Sequence, residues 1–340
     1  MIRFILIALL VIVVIVAGAF EWESAKFTAA GPAPKETVVL IKPKTGLKGI
    51  SEQLAAVGAV DSPEMFQLDA RYRQLNDKFK AGEYAIPAHA SYSDIMNILV
   101  EGKSIQHKIT AAEGLTSEMI VNLINKDPVL IGPPLAIPPE GTLLPETYLF
   151  MRGDTRQQIL ARMQKAQKEF IAKHWPKRDK NLPYTTIKDA IILASIVEKE
   201  TGIAAERPHI AAIFVNRLRT GMKLESDPTI IYSITRGYPL GRGIRRSELD
   251  RVTPYNSYAV AGLPPTPICN PGKDAIAAVM NPGETKDLYF VAAGNGGHYF
   301  SATLADQQKH VHELRDRERI EKATVDAAHA LPVPDLRLKH

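Results

Sequence analysis

The stretch Asp189-Ala-Ile-Ile-Leu-Ala-Ser-Ile-Val-Glu198-Lys-Glu200-Thr201 is apolar almost all round from Ala190 to Val197 and then ends in Glu198, Lys199 and Glu200. A helix that is apolar on every face belongs inside a core rather than on a surface. This one, expected over Thr186–Thr201, therefore marks the centre of a globular domain. Glu200 follows Val197, Ile196 and Leu193 by three, four and seven residues, so its carboxyl projects along an apolar ridge. Desolvation there disfavours the charged form and raises the pKa, as a general acid working near neutral pH requires. Glu198 lies two positions earlier, about 200° around the helix, so the two glutamates share a site only if the helix breaks. The plainer alternative is a pair of solvated glutamates at a helix end, and the pattern alone leaves both open.

Working outward, Thr155–Lys173 reads as a long amphipathic helix and Ala205–Arg219 as a third. The chain beyond mixes proline-rich loops with one clear strand at Leu288–Ala292. This region is α+β. On the N-terminal side, Val38–Lys42 reads as a strand and Gly49–Val57 as a helix with Ile50, Leu54 and Val57 on one face. Asp61-Ser62-Pro63-Glu64 caps a second helix running to about Gln74, and Glu83–Ile86 is a returning strand. Strand, helix, helix, strand makes a small module whose pattern resembles a LysM-like carbohydrate-binding unit. A packing domain without ligand affinity has the same pattern. Ser91–Val100 (helix), Ile105–Thr110 (strand) and Thr116–Asn125 (helix) follow, with Gly132-Pro133-Pro134 and Pro138-Pro139 marking a loop. The boundary is expected between 105 and 140. The division is a 37–105 module, a 106–320 catalytic domain and a 321–340 C-terminal tail.

Phe4 to Phe20 is an unbroken apolar run, preceded by Arg3 and followed by Glu21, Trp22 and Glu23. Its length suits a transmembrane helix over 4–22, with Trp22 at the interface. Arg3 holds residues 1–3 in the cytoplasm by the positive-inside rule, and 23–36 serve as a linker to an exported body. A cleaved signal peptide, with Ala17-Gly18-Ala19 as its small-residue site, is the competing reading and also exports the rest.

The chain has 340 residues, 45% hydrophobic and 23% charged, with a formal net charge of +5, the composition of an ordinary two-domain globular protein. No basic run interleaved with aromatics points to nucleic acid. Cys269 is the single cysteine, which excludes an internal disulfide and a cysteine-based metal site. No histidine pair has metal-ligand spacing, no Gly-x-Ser-x-Gly elbow is present, and neither a phosphate-binding loop nor a dinucleotide fingerprint occurs. No metal and no cofactor are expected.

Candidate ligand-binding residues sit in clusters of hydroxyls, amides and tyrosines on proline- and glycine-bearing loops. They are Asn216, Ser226, Asp227, Thr229, Tyr255, Asn256 and His298. Such groups hold sugars through hydrogen bonds and ring stacking. The same residues are also good turn formers, and either role fits each cluster.

Several segments together resemble the endolytic murein transglycosylases of the YceG-like type, also called MltG. They are Pro139-Glu-Gly-Thr-Leu-Leu-Pro-Glu-Thr-Tyr148, Ala194-Ser-Ile-Val-Glu-Lys-Glu-Thr201, Phe214-Val-Asn-Arg-Leu218, Gly221-Met-Lys-Leu-Glu-Ser-Asp-Pro-Thr229 with Tyr232, Pro254-Tyr-Asn256, Gly262-Leu-Pro-Pro265, and Leu288-Tyr-Phe-Val-Ala292 followed by Gly296-Gly-His298. The resemblance covers about 140–310. It implies a bacterial lytic transglycosylase, a lyase cutting peptidoglycan glycan strands with Glu200 as catalytic residue. It also implies a single inner-membrane helix, a LysM-like module, a catalytic domain on the periplasmic side, and a role ending nascent strands beside peptidoglycan synthases, the penicillin-binding proteins. Three positions depart from the family's usual residue: Glu225 for glutamine, Thr266 for glycine and Glu146 for aspartate.

Overall fold

In a computed structural model of the protein, residues 27–294 and 296–329 are described. The expected membrane span at 4–22 lies outside them. Among the described residues no helix is long and apolar enough to cross a membrane. The chain divides into two compact units. The first runs to Ile109 and takes in Pro128–Ile131 and Leu149–Thr155; the second comprises Thr110–Asp127, Gly132–Tyr148 and the chain from Arg156 onward.

In the first unit, β1 (Thr37–Ile41), α1 (Leu47–Ala56), α2 (Pro63–Tyr72) and β2 (Gly82–Ile86) follow in the expected order. The two strands are antiparallel, with Val39 opposite Tyr84. Period-2 alternation decides which face is buried: Val39 and Ile41 point into the core, while Val38 and Leu40 remain exposed. The Ser62 hydroxyl accepts from the Met65 amide at 3.2 Å and Pro63 occupies the first helical turn, so α2 starts where a side chain satisfies an otherwise orphaned donor. Helix α3 (Tyr92–Glu101) is closed at its start by a reciprocal Ser91–Asp94 capping box and at its end by Gly102, whose φ of 73° suits glycine. Its face of Ile95, Met96 and Leu99 packs with Leu54, Phe66 and Ile86. β3 (His107–Thr110) pairs with β4 (Thr147–Phe150).

The second unit is built on the helix quoted first. It contains α4 (Ser117–Lys126), α5 (Arg156–His174), α6 (Ile187–Glu200), α7 (Arg207–Arg219), α8 (Asp227–Thr235), the short α9 (Arg246–Leu249), α10 (Lys273–Met280), the antiparallel hairpin β5 (Tyr289–Ala292) and β6 (His298–Ser301), and α11 (Leu304–His329). Every residue of α6 from Ala190 to Val197 is buried. It packs in one cluster with Ile210, Phe214 and Val215 of α7 and with Ile276 and Val279 of α10. Burying this much apolar surface, at about 25 cal/mol per Å², is the main force holding the unit together. The polar members of α6 are satisfied. Thr186 caps its start, accepting from the Asp189 amide at 3.1 Å. The Ser195 hydroxyl donates to the Ile192 carbonyl at 2.7 Å and accepts from the Ile268 amide at 3.0 Å.

Mixed α+β architecture is as expected, but the chain after Arg219 is more helical than its prolines suggested. Asp227-Pro228, a good turn pair, instead opens α8, because proline in the first helical turn gives up an amide that has no partner there anyway. Helices α10 and α11 were also not anticipated, and α11 continues beyond 320 into the stretch read as a tail. His298, expected in a glycine turn, begins β6 and lies opposite Ala292.

Asn270 ties distant loops of this unit together from a fully buried position. Its Oδ1 accepts from the Leu143 amide at 3.0 Å, and its Nδ2 donates to the Leu115 carbonyl at 3.2 Å and the Ser117 hydroxyl at 3.0 Å. Asn270→Ala strands the Leu143 amide in a dry environment, while the Leu115 carbonyl keeps the residue-270 amide and the Ser117 hydroxyl keeps the Pro139 carbonyl, and is expected to lower stability by about 1–3 kcal/mol. Denaturant unfolding measures it.

Candidate active site

Helix α6 stops at Glu200 because the next residue, Thr201, turns extended, with φ −142° and ψ 136°. Thr201 is held there by its own hydroxyl, which accepts from the Ile203 amide at 2.9 Å and donates to Glu206 at 3.1 Å. Glu200 is thus the last residue of a rigid, buried rod. Its Oε1 accepts from the Ser226 hydroxyl at 2.5 Å.

Ser226 is itself fixed. Its amide donates to the Ser257 hydroxyl at 2.9 Å, Ser257 and Thr229 share a hydroxyl contact at 2.8 Å, and Thr229 donates back to the Ser226 carbonyl at 2.6 Å. All three hydroxyl residues are buried, so each hydroxyl must find a partner within the cluster. One residue further, Asp227 accepts from the Tyr258 hydroxyl at 2.7 Å. Arg217, buried beneath, donates to the Leu288, Leu224 and Lys223 carbonyls and lies 3.2 Å from Glu225.

These surroundings set the proton affinity of Glu200. Burial raises its pKa, the Ser226 hydrogen bond lowers it, the Asp227 charge raises it and the Arg217 charge lowers it, leaving it at about 7. Burial also pushes the Tyr258 phenol well above its ordinary value, reinforced by Asp227. Tyr258 therefore remains a neutral donor to Asp227 at any physiological pH.

Glu198 goes elsewhere, as its position around the helix demands. Its Oε2 accepts from the Gly272 amide at 2.9 Å and its Oε1 lies 3.3 Å from Arg207, a buried guanidinium that also meets Glu113 at 3.2 Å and Asp274 at 3.4 Å. Burial raises the Glu198 pKa. The group is an anchor for the end of α6 rather than a partner of Glu200.

The structure brings Glu200, Ser226, Asp227 and Thr229 together and separates the other candidates from them. Asn216 donates to the Thr285 and Asp287 carbonyls at 2.9 and 3.2 Å. Asn256 donates to the Glu248, Leu249 and Arg251 carbonyls. Both amides fasten backbone. His298 places Nδ1 2.8 Å from Glu206, which holds Thr201 in turn, so it braces the segment after Glu200. Tyr255 contacts Thr266 through its hydroxyl at 2.7 Å and lines a cavity of about 650 Å³ with Tyr232, Glu140, Ile187 and Ile191. Glu200 is not among the lining residues of that cavity. Arg217, Ser257 and Tyr258 were not singled out by sequence reasoning, although each lies within a cluster that was. Nothing short of the tertiary contacts distinguishes them from their neighbours. All three departures from the usual family residues find partners: Glu225 meets Arg217, Glu146 pairs with Lys273, and Thr266 receives Tyr255.

Among the described residues no group of three or more histidine, cysteine or acidic side chains is arranged to hold a metal.

The chain is 28% identical to an endolytic murein transglycosylase of Bacillus subtilis (strain 168), over 87% of this chain and 89% of that one. It is 26% identical to an endolytic murein transglycosylase of Streptococcus pneumoniae serotype 2, over 82% of this chain but only 58% of the longer pneumococcal one. A crystal structure of a yceG-like protein from Listeria monocytogenes superposes with a TM-score of 0.53 at 27% identity, covering 81% of this chain and 98% of the other. With the YceG-like family model matching residues 39–313, the chain belongs to the YceG-like family.

Proposed function

We propose that this protein is an endolytic murein transglycosylase that cuts the β-1,4 bond between N-acetylmuramic acid and N-acetylglucosamine within peptidoglycan strands, with Glu200 as both acid and base. The observation that carries the reading is a carboxyl held at about pKa 7 at the end of a buried helix, in a chain whose relatives bear that activity in their names. Such a group is available in both protonation states near neutral pH, which is what a residue that must give a proton and then take one requires. Protonated Glu200 gives its proton to the glycosidic oxygen as the bond to the muramyl anomeric carbon breaks, freeing the N-acetylglucosamine 4-hydroxyl. The resulting carboxylate takes the proton of the muramyl 6-hydroxyl as that oxygen closes on the anomeric carbon. A 1,6-anhydro end forms and no water is consumed. Ser226, donating to Oε1, holds the carboxylate in place between the two steps. Thr229 and Ser257 support Ser226, and Tyr258 keeps Asp227 in position.

A hydrolytic muramidase would need a second carboxylate to direct water. Glu198 and Glu225 are each bound to an arginine. Asp227, whose charge acts on Glu200, is the acidic group that could serve, and product analysis decides the matter. The full-length protein in detergent, incubated with purified sacculi, is expected to yield strand ends that have gained no water by mass. Ends heavier by one water per cut would replace the transglycosylase by a muramidase. The rate at low substrate is expected to fall as pH rises through about 7, because the acid form of Glu200 is then lost.

The apolar run from Phe4 to Phe20 supports a single-pass tether that places the body outside the cytoplasmic membrane. The strand, helix, helix, strand order of the first unit supports a LysM-like, glycan-holding role for residues 37–105. An enzyme so tethered cuts strands close to where they are made and thereby ends their elongation beside the synthases.

A further inference from the structure

The segment Tyr255-Asn256-Ser257-Tyr258 has two faces in use. Ser257 and Tyr258 touch Ser226 and Asp227 around Glu200, while Tyr255 lines three cavities, the smallest of them shared with Ser257. The first, of about 650 Å³, has walls of Ile137, Ile171, Ile187 and Ile191 and is closed on one side by the tilted Tyr232–Tyr255 ring pair, 5.1 Å between centroids. The second, of about 500 Å³, is lined by Arg236, Arg251, Ser233 and Thr253. Together they form an apolar compartment and a basic one on either side of a single tyrosine. Both volumes are within the roughly 300–1,000 Å³ range of ligand pockets.

The charges around these compartments are mostly positive. Lys168 and Lys188 line the apolar cavity, and Arg236 and Arg251 the other; among the described residues none of the four forms an ion pair. Two carboxylates also line them: Glu248, which is gripped by Arg242, and Glu140, whose Oε2 accepts from the Ser117 amide at 2.9 Å and on which the Arg236 charge acts. Arg236 adds an observation of a different kind. It closes α8 with φ 57° and ψ 36°, a left-handed conformation that glycine or asparagine adopts at less cost, and its guanidinium lies 5.6 Å from the Tyr232 ring centre. That conformation places the Arg236 guanidinium beside the tyrosine pair.

We propose that this double cavity binds the peptide stem carried by the muramic acid residue being cut, with an apolar portion of the stem against the two tyrosines and a carboxylate between Arg236 and Arg251. The identity of the occupant rests on the peptidoglycan reading above; the chemistry it must have, an apolar body with an anionic group, does not. Reach agrees. Tyr255 and Tyr258 are three residues apart, at most about 10 Å, and an extended stem of four or five residues spans roughly 13–18 Å at about 3.3–3.6 Å per residue. Tyr258 reaches Asp227, the neighbour of the Ser226 that touches Glu200, so a stem of that length is long enough to pass from Tyr258 to Tyr255.

The test measures binding, so that it does not depend on cleavage. A free stem tetrapeptide in its acid form and the same peptide with every carboxyl amidated are titrated into the full-length protein in detergent. The acid form is expected to bind at least about tenfold more tightly, with an advantage that shrinks as salt rises. In Arg236→Asn/Arg251→Ala, where asparagine tolerates the left-handed backbone, the two forms are expected to bind alike. Lys168→Ala/Lys188→Ala, on exposed side chains of the other rim, is expected to reduce the acid-form advantage by a smaller factor. Equal binding of both forms to the unaltered protein overturns the proposal, as does an advantage that survives loss of both arginines. Tight binding of farnesyl diphosphate with none of the peptide also overturns it, reassigning the basic cavity to phosphate. A protein that cuts no glycan yet prefers the acid peptide removes the transglycosylase reading and leaves a peptide site. A protein that cuts strands but ignores the carboxylates does the reverse.

Discussion

Glu200→Gln is expected to reduce glycan cleavage by about 10³-fold or more while raising stability at alkaline pH. The loss follows from one carboxyl serving both proton transfers: a general acid or base contributes roughly 10²–10⁴-fold, and the Ser226 hydroxyl that touches Glu200 cannot replace a carboxyl. The amide keeps an oxygen to accept the Ser226 hydroxyl now at 2.5 Å, so the site should stay assembled. The gain in stability follows from the raised pKa, about 7 against an ordinary 4.5. A carboxyl that holds its proton more tightly when folded favours the folded state fully below about pH 4.5. That contribution is lost as pH rises through about 7, where the buried group must ionise. The wild type therefore carries a penalty above pH 7 of up to about 3 kcal/mol, at 1.36 kcal/mol per pKa unit. The glutamine variant does not. Its unfolding midpoint should exceed that of the wild type at pH 8 and converge with it near pH 4.5. A variant that retains cleavage, or one no more stable at pH 8, removes Glu200 from the role given to it.

Arg207→Ala is expected to cost about 3–5 kcal/mol. Arg207 and Glu198 are both buried, with side-chain exposures of 8% and 5%. Removing the guanidinium leaves Glu198 with the Gly272 amide and the Lys199 charge, without a direct ion pair, to offset its own charge. Breaking a buried pair is costly because of the stranded charge, not because the pair was worth that much when intact. The other two carboxylates, Glu113 at 42% and Asp274 at 65% exposure, are solvated and contribute little. Adding Glu198→Gln should therefore recover at least half of the loss, since the amide needs no counter-charge. Equilibrium unfolding of the two single variants and the double variant measures this coupling. A double variant no more stable than Arg207→Ala would show that Glu198 is not the stranded group.

Helix α6 and its terminal glutamate were legible because burial is written into consecutive residues. An unbroken apolar surface from Ala190 to Val197 has one stable location, and the chain immediately after it names the group carried at its end. The two-strand, two-helix module was legible for the same reason, through alternation in β1 and capping at Ser62. Proline was the misleading sign. At Pro228 it starts a helix, and only the packing of the helix that follows separates that from a turn.

By itself, then, the sequence determined the core helix and the α+β class, because each depends on side chains within a few residues of one another, and it left open whether Glu200 is desolvated or solvated. Tertiary structure decided what Glu200 meets: a hydroxyl 26 residues away at Ser226, a phenol on the next residue's carboxylate, and an arginine whose charge opposes the effect of burial. It also decided that Asn216 and Asn256 hold backbone carbonyls. An amide offers the same donor to a sugar and to a peptide group, and only its three-dimensional neighbours determine which one receives it.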